Sequence, residues 1–154
     1  MLVCVTEFVP ADFVVPAEAT FGELRLVPLG PEHNESDHVA WTSSIEHIRS
    51  TPGFPDGSWP RPMSLAENLR DLERHAEYFR SRRGFTYTVL DESSDVIGCV
   101  YIYPSTAESV DAAVQSWVRA DRSDLDRALY EAVRDWLRSD WPFATVDYAE
   151  RPTP

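Results

Sequence analysis

Two runs of apolar and β-branched residues, 85–90 and 96–103, flank a polar break at residues 91–95. That pattern predicts an antiparallel β-hairpin. The second run, VIGCVYIY, is apolar on both faces and is closed by Pro104, which suits a strand in the middle of a sheet. DAAVQSWVRA, residues 111–120, predicts a third strand that feeds a helix opening at Ser123 as its cap. Along that helix Leu125, Ala128, Leu129, Ala132, Val133, Trp136 and Leu137 stripe one side, and Pro142 forbids its continuation. FATVDY, residues 143–148, reads as a last strand.

Upstream of the hairpin the period changes. In residues 22–31 Leu24 and Leu26 alternate with Glu23 and Arg25, the pattern of an edge strand ending at Pro28. Asn34, Ser36 and Asp37 are capping types, and residues 34–50 place Trp41, Ile45 and Ile48 on one face of a single helix. A second helix is predicted over 65–82. Ser64 and Glu67 form a capping box, Leu65, Leu69, Leu72, Ala76 and Phe79 recur at helical spacing, and Gly84 follows. Between the two helices, residues 51–63 hold four prolines and two glycines, so no regular element forms there. The same loop carries Phe54 and Trp59, either as a lid over a substrate or as anchors that tether the loop to the core. Residues 1–20 lack a helical period and read as an arm along the domain.

A chain of 154 residues is most economically one domain, 1–154, with enough length to bury a core. Its net charge of -12 argues against nucleic acid and anionic membrane surfaces as partners. No apolar run reaches membrane-spanning length, and no signal peptide is read at the start. Cys4 and Cys99 make no disulfide framework, and Cys99 lies in the most apolar strand, so a reducing cytoplasm is expected. All fourteen basic residues are arginine, which excludes a lysine Schiff base. Arg80, Arg82 and Arg83 cluster where a helix's last turn favours cations.

Candidate chemistry is sparse. His33, His38, His47 and His75 match no metal-ligand spacing, so no metal is expected. Glu46 and His47 lie just before the aromatic loop, where they read as a water-linked proton acceptor or simply as an exposed helix end. Tyr101 and Tyr103 share a face of their strand, lining a cleft or packing under the last helix.

The predicted order is strand, helix, helix, three strands, helix, strand. With VIGCVYIYP, a strand ending WVRA and a crossover helix, residues 24–148 resemble the GNAT superfamily of acyl-CoA N-acyltransferases. The resemblance implies an α/β (α+β) fold, a mixed, mostly antiparallel sheet flanked by about three helices. It implies acetyl-CoA or another acyl-CoA as co-substrate and a small amine as acceptor. It places the pantetheine arm in a gap between the strand 96–103 and the strand after it, walled by Tyr101, Ile102 and Tyr103 and by the backbone of Trp117 and Val118. Arg119, Arg122 and Ser123 fall near the phosphates, Trp41, Phe54 and Trp59 near the acceptor, and Tyr148 stands in for the family's tyrosine acid.

The chain also departs from the family's pattern. ADRSDLDRAL has no glycine between Arg119 and Leu129, and Asp121, Asp124 and Asp126 stand where backbone N–H groups would hold a diphosphate. Ala112 and Val114 replace the frequent glutamate base. Weak CoA binding is therefore expected unless Arg119 and Arg122 grip the phosphates. The residues leave a second reading open, a GNAT-like fold that binds a small molecule or a protein without catalysis. Oligomeric state is open too, a homodimer included.

Overall fold

A computed structural model describes residues 7–54 and 59–152. One six-stranded sheet runs in chain order: β1 (Ala19–Phe21), β2 (Leu24–Pro28), β3 (Phe85–Leu90), β4 (Val96–Pro104), β5 (Ala112–Val118) and β6 (Val146–Tyr148). Neighbours are antiparallel except β5 and β6, which are parallel and joined by the crossover helix α4 (Asp126–Asp140). Helices α1 (Asn34–Thr42), α2 (Ile45–Arg49) and α3 (Leu65–Arg80) cover the face opposite α4. The sheet is thus mixed and mostly antiparallel, with helices on both faces.

Strand alternation sorts the core into two layers. Val100 and Ile102 of β4 join Leu129 and Val133 of α4, whereas Cys99 and Tyr101 join Trp41 and Leu72 on the α1–α3 side. Every residue of β3 is buried, as a central strand covered on both faces requires. The hairpin between β3 and β4 turns on Asp91, whose carboxylate accepts the N–H groups of Ser93 and Asp95. At the N-terminal end, Phe8 and Phe13 pack onto the core, and Arg82 holds the arm by donating to the carbonyls of Pro10 and Phe13.

Several elements differ from the sequence expectation. β2 is not the edge, because Gly22 at φ 59° turns the chain into a hairpin that sets β1 outside it. The helix expected over 34–50 breaks at Ser43 and Ser44. Ser43 bonds back to the Ala40 carbonyl, and the Ser44 hydroxyl accepts the N–H of Ala120. Ser123 does not cap α4, because a 3-10 turn over Ala120–Leu125 intervenes and α4 begins at Asp126. The last strand is shorter than 143–148: Phe143 stacks on Trp141 and Phe8, and the Asp111 carboxylate takes the N–H groups of Ala144 and Thr145.

Helix α3 keeps its capping box at Ser64 and Glu67 but is rolled from the expected orientation. Leu65 and Leu69 are 42% and 36% exposed, while Leu72 is 2% exposed. Asn68 and His75 turn inward instead, because each finds hydrogen-bond partners there. Gly84 serves close packing after the helix: a Cβ there would lie 2.3 Å from the Tyr103 ring.

Candidate active site

Between α1, α3 and the sheet lies a cavity of about 450 Å³. Trp41, Phe54, Trp59 and Tyr101 give it aromatic walls, with Trp59 5.5 Å from Trp41, 6.1 Å from Phe54 and 6.2 Å from Tyr101 between ring centroids. Three of these rings come from the first helix and the proline-rich loop, and Tyr101 comes from β4. Residues 55–58 of the loop lie outside the described residues. Phe54 and Trp59, on either side of these four residues, are packed against the core, so they anchor the loop and line the cavity at once.

The polar lining comes from Asp37 of α1, from Asn68, Asp71, Arg74 and His75 of α3, and from Gln115 of β5. Asn68 satisfies its whole amide: its Oδ1 accepts from the Trp41 indole at 3.0 Å, and its Nδ2 donates to Asn34 at 2.9 Å and to the Asp37 carboxyl at 3.1 Å. Burial pushes Asp37 up from 3.8 to about 6, against the opposing pull of the Asn68 hydrogen bond and of His38. His75 lines the same cavity with Nδ1 2.7 Å from the Tyr103 hydroxyl and 3.0 Å from that of Thr86. Burial lowers its value from 6.5 to about 4, so it is a neutral imidazole at pH 7. Tyr101 stays protonated, its phenol raised by burial, and accepts from the Trp117 indole at 3.0 Å. Tyr103 likewise packs against α3, so neither tyrosine lies under α4.

The gap expected between Ile102 and Trp117 does not exist. β4 and β5 pair without interruption from Gly98 opposite Val118 to Pro104 opposite Ala112. Gly98 permits the close approach, since a Cβ there would meet the Trp117 carbonyl at 2.4 Å. Ile102 faces the α4 layer, away from the aromatic cavity. Trp117 is fully buried on the α1–α3 side and Val118 fully buried on the α4 side. The strands that part are β5 and β6. Their pairing covers three residues, Ala112 to Val114 against Val146 to Tyr148, after which β5 runs on to Val118 alone. The Ser116 carbonyl in that unpaired stretch is met by the guanidinium of Arg151 at 2.8 Å. Tyr148 stands at the same place, hydrogen-bonded to the Ser116 hydroxyl and held protonated by burial.

The start of α4 does not fit a diphosphate. Arg119 is bound to Asp121 at 2.9 Å and Arg122 to Asp91 at 2.8 Å, so neither guanidinium is free to grip an anion. Asp126 opens the helix and is paired with Arg151, and Ser123 lies within the 3-10 turn. With Arg151 between β5 and β6 as well, the residues in this arrangement do not fit acyl-CoA. Glu46 and His47 do not reach the cavity: Glu46 points outward and is 94% exposed. The His47 Nε2 is buried with no hydrogen-bond partner among the described residues. His38 is engaged elsewhere, its Nε2 donating to the Met63 carbonyl at 2.7 Å.

Asp37, Asn68, Asp71, Arg74, His75 and Gln115 are polar residues of the cavity that sequence reading did not place there. Asp37 resembles a helix cap and His75 a surface residue of an amphipathic helix. The available signal was the polar Asn68 and His75 seven residues apart, two turns along one helix face. No described cluster of His, Cys, Asp and Glu has metal-site geometry, and no described helix is long and apolar enough to cross a membrane.

No family model and no curated protein sequence matches the chain. Solved structures do. The ribosomal-protein-S5-alanine acetyltransferase from Vibrio fischeri aligns with a TM-score of 0.60 at 12% identity, over 79% of this chain and 67% of that one. The microcin C7 self-immunity acetyltransferase, solved with acetyl-CoA and AMP, aligns at 0.58 and 12%, over 77% and 62%. An acetyltransferase from Salmonella typhimurium that modifies the N-terminal serine of ribosomal protein L7/L12 aligns at 0.57 and 11%, over 78% and 67%. The alignments span about two thirds of the length of these structures. At such identities the likeness is one of backbone: the chain has the fold of the GNAT N-acetyltransferases.

Proposed function

We propose that the chain is an N-acyltransferase whose acceptor is a small organic amine, with acetyl-CoA or another acyl-CoA as donor. The fold supports the reaction class, and the observation that carries the acceptor is a buried carboxylate, Asp37, inside a cage of Trp41, Phe54, Trp59 and Tyr101. Aromatic faces attract an ammonium by about 0.5–2 kcal/mol each, depending on desolvation. A carboxyl raised to about 6 is suited to take a proton from the bound ammonium, which must lose one to become a nucleophile. Asp37 is the proposed proton acceptor, and neutral His75 the group that orients the amine by hydrogen bonding. The net charge of -12 favours a cationic acceptor over an acidic one. Tyr148 is proposed to hold its proton beside Ser116, at the edge of the strand parting.

A second reading is non-catalytic capture of the same amine. The carboxylates of Asp121, Asp124 and Asp126 and the paired state of Arg119 and Arg122 favour it. One experiment separates the two. The protein is titrated calorimetrically with a panel of cationic, neutral and acidic amines, and thiol release from acetyl-CoA is then followed with each amine that binds. Cationic amines should bind best, and Asp37→Asn should weaken them about tenfold, equivalent to about 1.4 kcal/mol. Amine-dependent thiol release supports acyl transfer. Amine binding without thiol release selects the second reading, and failure of every amine to bind rejects both.

A further inference from the structure

The space between β5 and β6 is filled by the chain itself. Arg151 enters it with a side chain only 2% exposed. Its Nε and Nη2 meet the two oxygens of Asp126 at 2.7 and 3.4 Å, and Nη2 also donates to the Ser116 carbonyl at 2.8 Å and hydroxyl at 3.2 Å. Nη1 donates to the carbonyls of Ala149 at 2.9 Å and Pro52 at 3.3 Å. The rings of Tyr130 and Tyr148 flank the guanidinium at 5.4 and 5.7 Å. A buried charge persists when paired and hydrogen-bonded in this way, and every nitrogen of this one is engaged.

Two observations distinguish this residue from an ordinary core arginine. Residues 149–152 belong to no helix or strand, and no backbone–backbone hydrogen bond holds them among the described residues. They hang on side chains, Arg151 and the Arg127 guanidinium that donates to the Pro152 carbonyl at 2.8 Å. The second observation is position. Pro52, which accepts from Arg151, adjoins Gly53, which lines the aromatic cavity, and a Cβ at Gly53 would lie 3.7 Å from that of Ala149. The strap and the Pro52–Gly53 backbone therefore form the partition between the cavity and the strand parting.

We infer that Arg151 is a displaceable plug. The strap 149–152 holds the site closed, and a ligand that reaches from the parting to the aromatic cavity binds only after the guanidinium has left Ser116 and Asp126. The ligand class is an extended chain carrying its own amide N–H donors, able to replace Arg151 at the Ser116 carbonyl, as a pantetheine arm does. This rests on the acyl-transfer reading and adds to it an autoinhibitory contact.

The test compares acetyl-CoA binding by calorimetry in the wild type, in Arg151→Met and in Arg151→Met/Asp126→Asn. The double variant removes the carboxylate that the single one strands, so a folding defect in the single variant does not end the test. Hydrogen exchange of the Glu150 and Arg151 amides is followed in the wild type with and without acetyl-CoA. The unplugged variant should bind about tenfold tighter or better, and saturating ligand should speed exchange in the wild-type strap. Equal affinities with unchanged strap exchange overturn the plug, even if amine-dependent thiol release keeps acyl transfer standing. Absence of acetyl-CoA binding in all three proteins overturns the plug and the donor together, while the amine titration still decides the cavity.

Discussion

Replacing Asp37 by asparagine should stabilise the protein at neutral pH and leave it unchanged in acid. The folded state holds the Asp37 proton between pH 3.8 and about 6, where the unfolded chain has lost it. The residue's contribution to stability is therefore full below pH 3.8 and declines as pH rises through 6. At 1.36 kcal/mol for each pH unit, that window amounts to about 3 kcal/mol. Asparagine matches the protonated acid in shape, cannot ionise, and can still accept the Asn68 hydrogen bond through Oδ1. His75 works in the opposite direction. Its value is lowered from 6.5 to about 4, so its contribution is full above pH 6.5 and is lost as pH falls toward 4, again by about 3 kcal/mol. The two groups oppose each other over nearly the same window, and the wild type should be flatter in pH than either single variant. The measurement is urea unfolding of the wild type, Asp37→Asn and His75→Gln from pH 3.5 to 7.5, read as differences so that the remaining carboxylates cancel. The Asp37→Asn advantage should grow by about 3 kcal/mol across the range, and the His75→Gln advantage should grow by a similar amount as pH falls. An Asp37→Asn difference that stays constant within about 0.5 kcal/mol would mean that Asp37 ionises as freely as a surface carboxyl, and the buried-carboxylate cage would be refuted.

Leu72→Ala should cost about 2–5 kcal/mol in urea unfolding, whereas Leu69→Ala should cost about 0.5 kcal/mol or less. Equal losses would contradict the rolled orientation of α3. Gly98→Ala should lower the melting temperature by several degrees, about 1–3 kcal/mol of overpacking, because its Cβ must push β4 from the Trp117 carbonyl. A variant as stable as the wild type would contradict the tight β4–β5 ladder. Changing Arg119 and Arg122 together to alanine should leave acetyl-CoA affinity within about twofold in calorimetry, since both guanidinia are already paired. A tenfold loss would show that they leave Asp121 and Asp91 to hold phosphate.

What the sequence determined by itself was local. The stripe of α4, the capping box of α3, the turn at Asp91, the extent of β3 and the places of β4 and β5 depend on residues a few positions apart, and their periods were legible. The aromatic character of the loop around Phe54 and Trp59 was legible for the same reason. Tertiary structure decided the rest. Asn68 faces inward because Trp41 and Asp37, 27 and 31 positions away, complete its hydrogen bonds, and that pairing outweighs the apolar pull of Leu65 and Leu69 on the roll of α3. Asp37 becomes a buried carboxyl through that helix packing, although its sequence surroundings are those of a cap. The parting falls between β5 and β6 instead of β4 and β5 because Gly98 lets one pair close and Arg151 occupies the other. The partners of Arg151 at Ser116 and Pro52 lie 35 and 99 positions away. Periodicity reports which residues seek burial, but the partners that satisfy a buried charge or amide are set by chain closure over distances that no local pattern encodes.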